Sequence, residues 1–204
     1  MEIIAEGLSK KFNGGWIFKN FTYHFFSGTH YAITGYNGSG KSTLLQLLSG
    51  LNLPSKGDIS YKHKDKTVSA EQIYQELVFV TPYMELIEEM TLRELITFHF
   101  TFKNRAKEFS LDELLTSSGL LHAQDKLIKH FSSGMKQRAQ LVLAFASECS
   151  LMLLDEPTSN LDAQGVAWYQ GLMQQVSNRL VIIASNQPHE YSHAREVINI
   201  TEWK

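Results

Sequence analysis

Eight consecutive residues restrict what this chain can fold into more than any others. Gly35-Tyr36-Asn37-Gly38-Ser39-Gly40-Lys41-Ser42 fits G-x-x-x-x-G-K-[ST] without a mismatch. On ordinary residue usage, a chance match in a chain this long has odds on the order of one in a hundred. The flanks narrow it further. Tyr31-Ala32-Ile33-Thr34 reads as an apolar strand, and Thr43-Leu44-Leu45-Gln46-Leu47-Leu48 as a buried helix ended by Gly50. Strand, glycine loop and helix form a phosphate cradle. Backbone N–H groups freed by glycine wrap the phosphates, and the helix N-terminus adds favourable partial charge. The expected nucleotide-binding set is Gly35, Asn37, Gly38, Ser39, Gly40, Lys41, Ser42 and Thr43. Lys41 is placed to reach the β- and γ-phosphates, and Ser42 to ligate Mg2+.

A strand–loop–helix start implies an α/β parallel core, and the rest of the chain follows it. Ile3-Ile4-Ala5 and Phe21-Thr22-Tyr23-His24-Phe25 read as antiparallel strands around an Asn13-Gly14-Gly15 turn. Residues 54–58 read as a turn, Ile59-Ser60-Tyr61 as a short strand, and Lys62 to Lys66 as a solvated charge run. Leu77-Val78-Phe79-Val80 is a further strand. From Thr91 to about Glu148 the periodicity is helical: Leu92, Leu95, Ile96 and Phe98, then Leu111, Leu114 and Leu115, are expected core contacts. Leu151 to Leu154 and Val181 to Ala184 are buried strands, with a helix from Val166 to Val176 between them. The expected organisation is one domain over 1–204. Residues 1–82 and 151–204 form the α/β core with its N-terminal antiparallel subdomain, and 83–150 form a helical insert.

Composition bears on partners. With 19 Lys+Arg against 21 Asp+Glu, the net charge is −2, and no basic field points to nucleic acid. The single Cys149 makes no internal disulfide and suits a reducing compartment. No secretory signal is visible, and no apolar run approaches the ~18 residues of a membrane span. If the protein works at a membrane, another chain must span it.

The acidic pair Asp155-Glu156 follows directly on the Leu151–Leu154 strand. Strand ends beside a glycine loop are where parallel α/β proteins place ligand groups. Asp155 suits Mg2+, facing Ser42. Glu156 suits a water poised for in-line attack on the γ-phosphate.

Two further stretches carry a resemblance. Phe131-Ser132-Ser133-Gly134-Met135-Lys136-Gln137-Arg138 resembles the signature motif of ABC (ATP-binding cassette) ATPases. Leu154-Asp155-Glu156-Pro157-Thr158, with Ser159-Asn160-Leu161-Asp162, is similar to their second acidic motif and dimer loop. The resemblance covers essentially the whole chain. It implies a P-loop NTPase cassette using ATP and Mg2+, cytoplasmic and peripheral at the cytoplasmic face of a membrane. It also implies a head-to-tail dimer, here expected as a homodimer, and an integral membrane partner. Ser132 and Gly134 would then meet the γ-phosphate held by the second subunit. Gly35–Leu51, Asp155–Val166 and Val181–Pro188 resemble most the small ATP-binding subunit of the cytochrome c biogenesis haem exporter.

The departures are specific. The family signature is Leu-Ser-Gly-Gly-Gln, and this chain has Phe131, Ser133 and Met135 at its first, third and fifth positions. The family Gln before the insert falls at or near Pro82. The family His that contacts the γ-phosphate falls at Asn186, which donates a hydrogen bond but carries no charge. Slow turnover is therefore expected, with Glu156 and Asn186 as the catalytic pair; His189 and His193 read as surface residues, the alternative being that His189 swings in for the missing His. Phe12 falls near the family's adenine-stacking aromatic, with Trp16 as competitor. Tyr83 to Met90 mixes apolar and acidic residues where the family docks its membrane partner. The competing readings are a soluble ABC-type ATPase and a slow-turnover nucleotide-binding regulatory module.

Overall fold

The computed structural model describes residues 1–64 and 66–204. The chain divides into two compact units. One is Met1–Phe79, Ser150–Glu156 and Ser177–Lys204; the other is Val80–Cys149 and Pro157–Val176.

The first unit contains two sheets. β1 (Glu2–Phe12), β2 (Gly15–Phe26), β4 (Lys56–His63) and β5 (Lys66–Val68) form an antiparallel sheet in the order β2-β1-β4-β5. β6 (Leu77–Val80), β7 (Leu151–Asp155), β8 (Leu180–Ala184), β3 (His30–Thr34) and β9 (Glu196–Asn199) form the second sheet in that spatial order. The β7–β8, β8–β3 and β3–β9 pairs are parallel. Every residue of β7 and β8 is buried, which is why both read as unbroken apolar runs. α1 (Lys41–Leu48) follows the glycine loop, and α2 (Ile73–Glu76) precedes β6. Ile3, Leu8, Phe18, Phe21 and Phe25 join Leu44, Leu45, Leu47, Leu48, Leu151 and Leu153 in one buried apolar cluster. The antiparallel sheet and α1 are thus fastened to the parallel sheet by the hydrophobic effect.

The second unit is helical. α3 (Leu92–His99), α4 (Leu111–Ser117), α5 (Ser133–Ala146) and α6 (Ala163–Met173) each begin at a Thr, Ser or Asp whose side chain accepts a first-turn N–H. At α3 the cap is reciprocal: Thr91 Oγ1 accepts from Glu94 N–H at 3.2 Å, and Thr91 N–H donates to Glu94 Oε2 at 2.8 Å. Among the described residues, no helix is long and apolar enough to cross a membrane.

Four local expectations change. Pro157–Val176 belongs to the helical unit, so that unit extends beyond the expected 83–150. Gln137 Nε2 donates to Pro157 O at 2.8 Å and Trp168 Nε1 to Ser117 Oγ at 3.0 Å, tying the segment there. α6 starts at Ala163 rather than Val166, because Asp162 caps Gly165 N–H at 2.8 Å. The charge run is part of the β4–β5 hairpin: Lys62 pairs with Thr67 and His63 with Lys66. His63 Nδ1 also lies 2.8 Å from Glu76 Oε2; Asp65, the acid of the run, lies outside the described residues. Phe98 is not core. It is exposed and packs edge-on against Phe102 with ring centroids 5.2 Å apart.

Candidate functional site

Strand register assembles the site. Ala184 on β8 pairs with Ile33 on β3 and with Asp155 on β7. Gly35, Asp155–Glu156 and Ser185–Asn186 therefore leave three adjacent strands at the same level, at their carboxyl ends. Two backbone bonds fix the alignment: Ser185 N–H donates to Ile33 O at 3.1 Å and Glu156 N–H to Ala184 O at 2.9 Å.

The glycine loop turns sharply into α1. Gly40 is its N-cap at φ 107°, in the left-handed region, and a Cβ there would lie 2.5 Å from Ile17 Cγ2. Both backbone and packing demand glycine at that point. Lys41 is buried and donates to Gly35 O at 2.7 Å. Burial lowers its pKa, and the nearby Glu156 and Asp155 carboxylates partly offset that. Asp155 is buried at the end of β7, with its pKa pushed up to about 6. Burial is the main cause. The hydrogen bond with Ser42 opposes it, Glu156 and Glu190 add to it, and Lys41 pulls the other way. Glu156 has φ 44°, a left-handed backbone that a non-glycine residue occupies at a cost of about 1–3 kcal/mol. Such strain concentrates at functional positions, and spacing in the sequence gives no hint of it.

Asn186 is exposed and bonded to the loop itself. Its Oδ1 accepts from Gly35 N–H at 3.2 Å, and its Nδ2 donates to Asn37 Oδ1 at 3.1 Å. His189 is half-buried in the turn where Glu190 N–H donates to Gln187 O at 2.9 Å.

The hairpin tip separates the two aromatic candidates. On β1, Lys10 opposes Phe18, Lys11 opposes Trp16, and Phe12 opposes Gly15. Alternation along β1 puts Phe12 on the face of Lys10, whose Nζ lies 4.9 Å from its ring centroid. Trp16 lies on the other face, with Lys11 and Lys56 each 5.7 Å from its ring centroid.

Ser132 and Gly134 lie in the helical unit, at the start of α5. Ser132 Oγ accepts from Met135 N–H at 3.2 Å. A Cβ on Gly134 would come within 2.9 Å of Asn160 O, so close packing of the 159–162 loop requires glycine there. Arg138 braces that loop: its NH2 lies 2.6 Å from Asp162 Oδ1, and its NH1 donates to Ser118 O at 2.8 Å. A cavity of about 430 Å3 opens on Ser132, Gly134, His122 and Asp162.

A second, larger cavity of about 730 Å3 runs between residues 82–89 and α5. Its lining includes Pro82, at the position of the family Gln, and Gln140, a residue that sequence reasoning missed. Gln140 is buried and donates to Met84 O at 2.6 Å. The available signal was a lone amide inside the apolar stretch that α5 buries. β9 was also missed; Val197-Ile198 between Glu196 and Asn199 is too short a pattern to read.

The sequence profile described as ABC transporter matches residues 18–159. The chain is 31% identical over 206 aligned residues to the uncharacterized ABC transporter ATP-binding protein YybJ of Bacillus subtilis (strain 168), covering 96% of this chain and 87% of that one. It is 32% identical to the cytochrome c biogenesis ATP-binding export protein CcmA of Idiomarina loihiensis, covering 81% and 76%. A solved ATP-binding subunit of an ABC transporter superposes with TM-score 0.85 at 23% identity, covering 98% and 87%. A dimeric bacterial ABC transporter cassette superposes with TM-score 0.82 at 20% identity, covering 98% and 95%. With glycine loop, acidic strand end and signature helix all in place, the chain belongs to the ABC transporter family, as an ATP-binding and hydrolysing cassette.

Proposed function

We propose that two such cassettes stack head to tail, each ATP lying between the loop Gly35–Ser42 of one subunit and Ser132 and Gly134 of the other. The observation that carries this reading is the register of β7, β8 and β3, which sets Asp155, Glu156 and Asn186 around the loop. Lys41 holds the β- and γ-phosphates as a buried cation. Gly35, Asn37, Gly38, Ser39, Gly40 and Thr43 supply backbone donors and the helix N-terminus. Phe12, at the tip of its hairpin, stacks on adenine.

The donor set fits Mg2+. Ser42 and Asp155 share a hydrogen bond, and both offer oxygen, as a hard dication requires. Asp155 is buried beside two other carboxylates, a placement that a cation relieves. Bound Mg2+ supplies charge neutralisation on the phosphate oxygens. Glu156 accepts the proton of the attacking water, and its strained backbone aims the carboxylate. Asn186 offers its amide to the γ-phosphoryl oxygens without a charge. That neutrality supports a second reading within the same chemistry, a site of slow turnover.

The cassette energises transport through an integral membrane partner, which docks on the stretch Tyr83–Met90 at the larger cavity, with the cassette held at the cytoplasmic face. Sedimentation of Glu156→Gln with ATP and Mg2+ tests the sandwich. A dimer is expected, abolished by Ser132→Arg. A monomer at high protein concentration overturns the arrangement for this chain alone.

A further inference from the structure

The smaller cavity holds an imidazole that the site described so far does not use. Ser132 and Gly134 line it together with His122, and its volume of about 430 Å3 falls within the ~300–1,000 Å3 usual for small-molecule sites. His122 sits on the 3-10 turn Leu121–Ala123, which the fold holds at both ends. Before the turn, Arg138 NH1 donates to Ser118 O at 2.8 Å; after it, Arg93 N–H donates to Gln124 O at 2.9 Å. Leu120 and Ala123 are buried, so the hydrophobic effect seats the turn from beneath. His122 between them is exposed, and its ring makes no hydrogen bond or ion pair among the described residues. The guanidinium in the same cavity is committed: Arg138 NH2 lies 2.6 Å from Asp162 Oδ1, the carboxylate that also lines the cavity.

The phosphate site, for its part, lacks a charge at Asn186. That amide is neutral, and both of its ends are engaged by the loop, with Gly35 N–H at 3.2 Å and Asn37 Oδ1 at 3.1 Å. We propose that His122 supplies the absent charge from the other subunit, donating to the γ-phosphoryl oxygens of the ATP held opposite it. The inference rests on the sandwich reading above and adds a catalytic residue to it. When Ser132 and Gly134 of one subunit meet the γ-phosphate of the other's ATP, that phosphate lies at the mouth of the cavity that His122 lines. An imidazolium donates from both ring nitrogens and brings the positive charge that an amide lacks. Negative charge grows on the γ-phosphoryl oxygens as the bond breaks, so a donor aimed there acts mostly in the transition state. The turn that carries His122 is tied through Arg138 to α5, so the imidazole and the signature residues arrive at the phosphate together.

The test is a steady-state phosphate-release assay on the full chain, joined to NMR of the histidine rings. His122→Gln leaves a neutral donor, so kcat should fall by about tenfold with KM steady, less than the ~10²–10³ that loss of a whole donor costs. His122→Lys keeps a charge and should retain most of the rate. Asn186→His should raise kcat more in the His122→Gln chain than in the intact one, because each charge stands in for the other. A merely structural His122 would leave the two effects additive. In the Glu156→Gln chain, the His122 ring signal should shift when ATP and Mg2+ drive dimer formation. In the Glu156→Gln, Ser132→Arg monomer, the same nucleotide should leave that signal in place. A normal kcat for His122→Gln, additive effects with Asn186→His, or a ring signal unmoved in the dimer overturns the proposal while the sandwich stands. Absence of any Glu156→Gln dimer overturns the sandwich, and the inference with it.

Discussion

The glycine loop and the signature helix are built by different means. The phosphate site is built at buried strand ends, with Lys41 and Asp155 out of solvent and the loop matching its motif at every fixed position. The signature region departs from its motif at three positions, yet Ser132 still caps α5, and Gly134 still admits the carbonyl of Asn160. A site that cradles phosphates with its own backbone tolerates little change, because glycine conformation and helix direction are the binding device. A site that presents a helix end to another chain needs only a cap, a small residue and a braced loop, so residues at 131, 133 and 135 can vary.

The largest expected effect tests the first half of that contrast. Glu156→Gln keeps the shape and removes the base, so phosphate release should fall by about 10²–10⁴-fold with nucleotide still bound. A near-normal rate would transfer the base role to another residue. Next, Lys41→Ala deletes a buried cation from the phosphate cluster. Loss of one charge-assisted contact costs roughly 1.5–3 kcal/mol, so calorimetry should show affinity weakened by at least about tenfold. Unchanged affinity would remove the glycine loop from the site.

Asn186→His sharpens the comparison from the other side. Restoring a charge-capable donor where transition-state charge builds should raise kcat by about tenfold, below the 10²–10³ that a lost oxyanion donor typically costs, since Asn186 already offers an amide. KM should hold steady in a steady-state assay at matched dimer concentration. An equal or lower kcat would show that the bonds of Asn186 to Gly35 and Asn37 matter more than charge. The smallest effect belongs to the signature helix. Ser132→Ala should cost about 1 kcal/mol of stability through the lost cap, read by denaturant titration, and should also weaken the ATP-dependent dimer. Stability loss without any change in dimerisation would confine Ser132 to capping.

Much of this was legible before any coordinates. The spacing Gly35–Ser42, the apolar runs ending at Asp155 and Ala184, and the Ser before α5 are local patterns. Each is set by backbone geometry within a few residues, so sequence alone determined the strand–loop–helix, the acidic strand end and the capped signature helix. Tertiary structure decided what depends on distant partners. Only the β7–β8–β3 register aligns Asp155 with Asn186 and the loop. Only the hairpin pairing puts Phe12 and Trp16 on opposite faces, with Lys10 and Lys11 respectively. Only packing of the helical unit gives Pro157–Val176 its place there and leaves Gln140 buried under Met84. The physical reason is that a turn, a cap or a glycine loop satisfies its own hydrogen bonds nearby, whereas a buried polar group takes its partner from wherever the fold brings one.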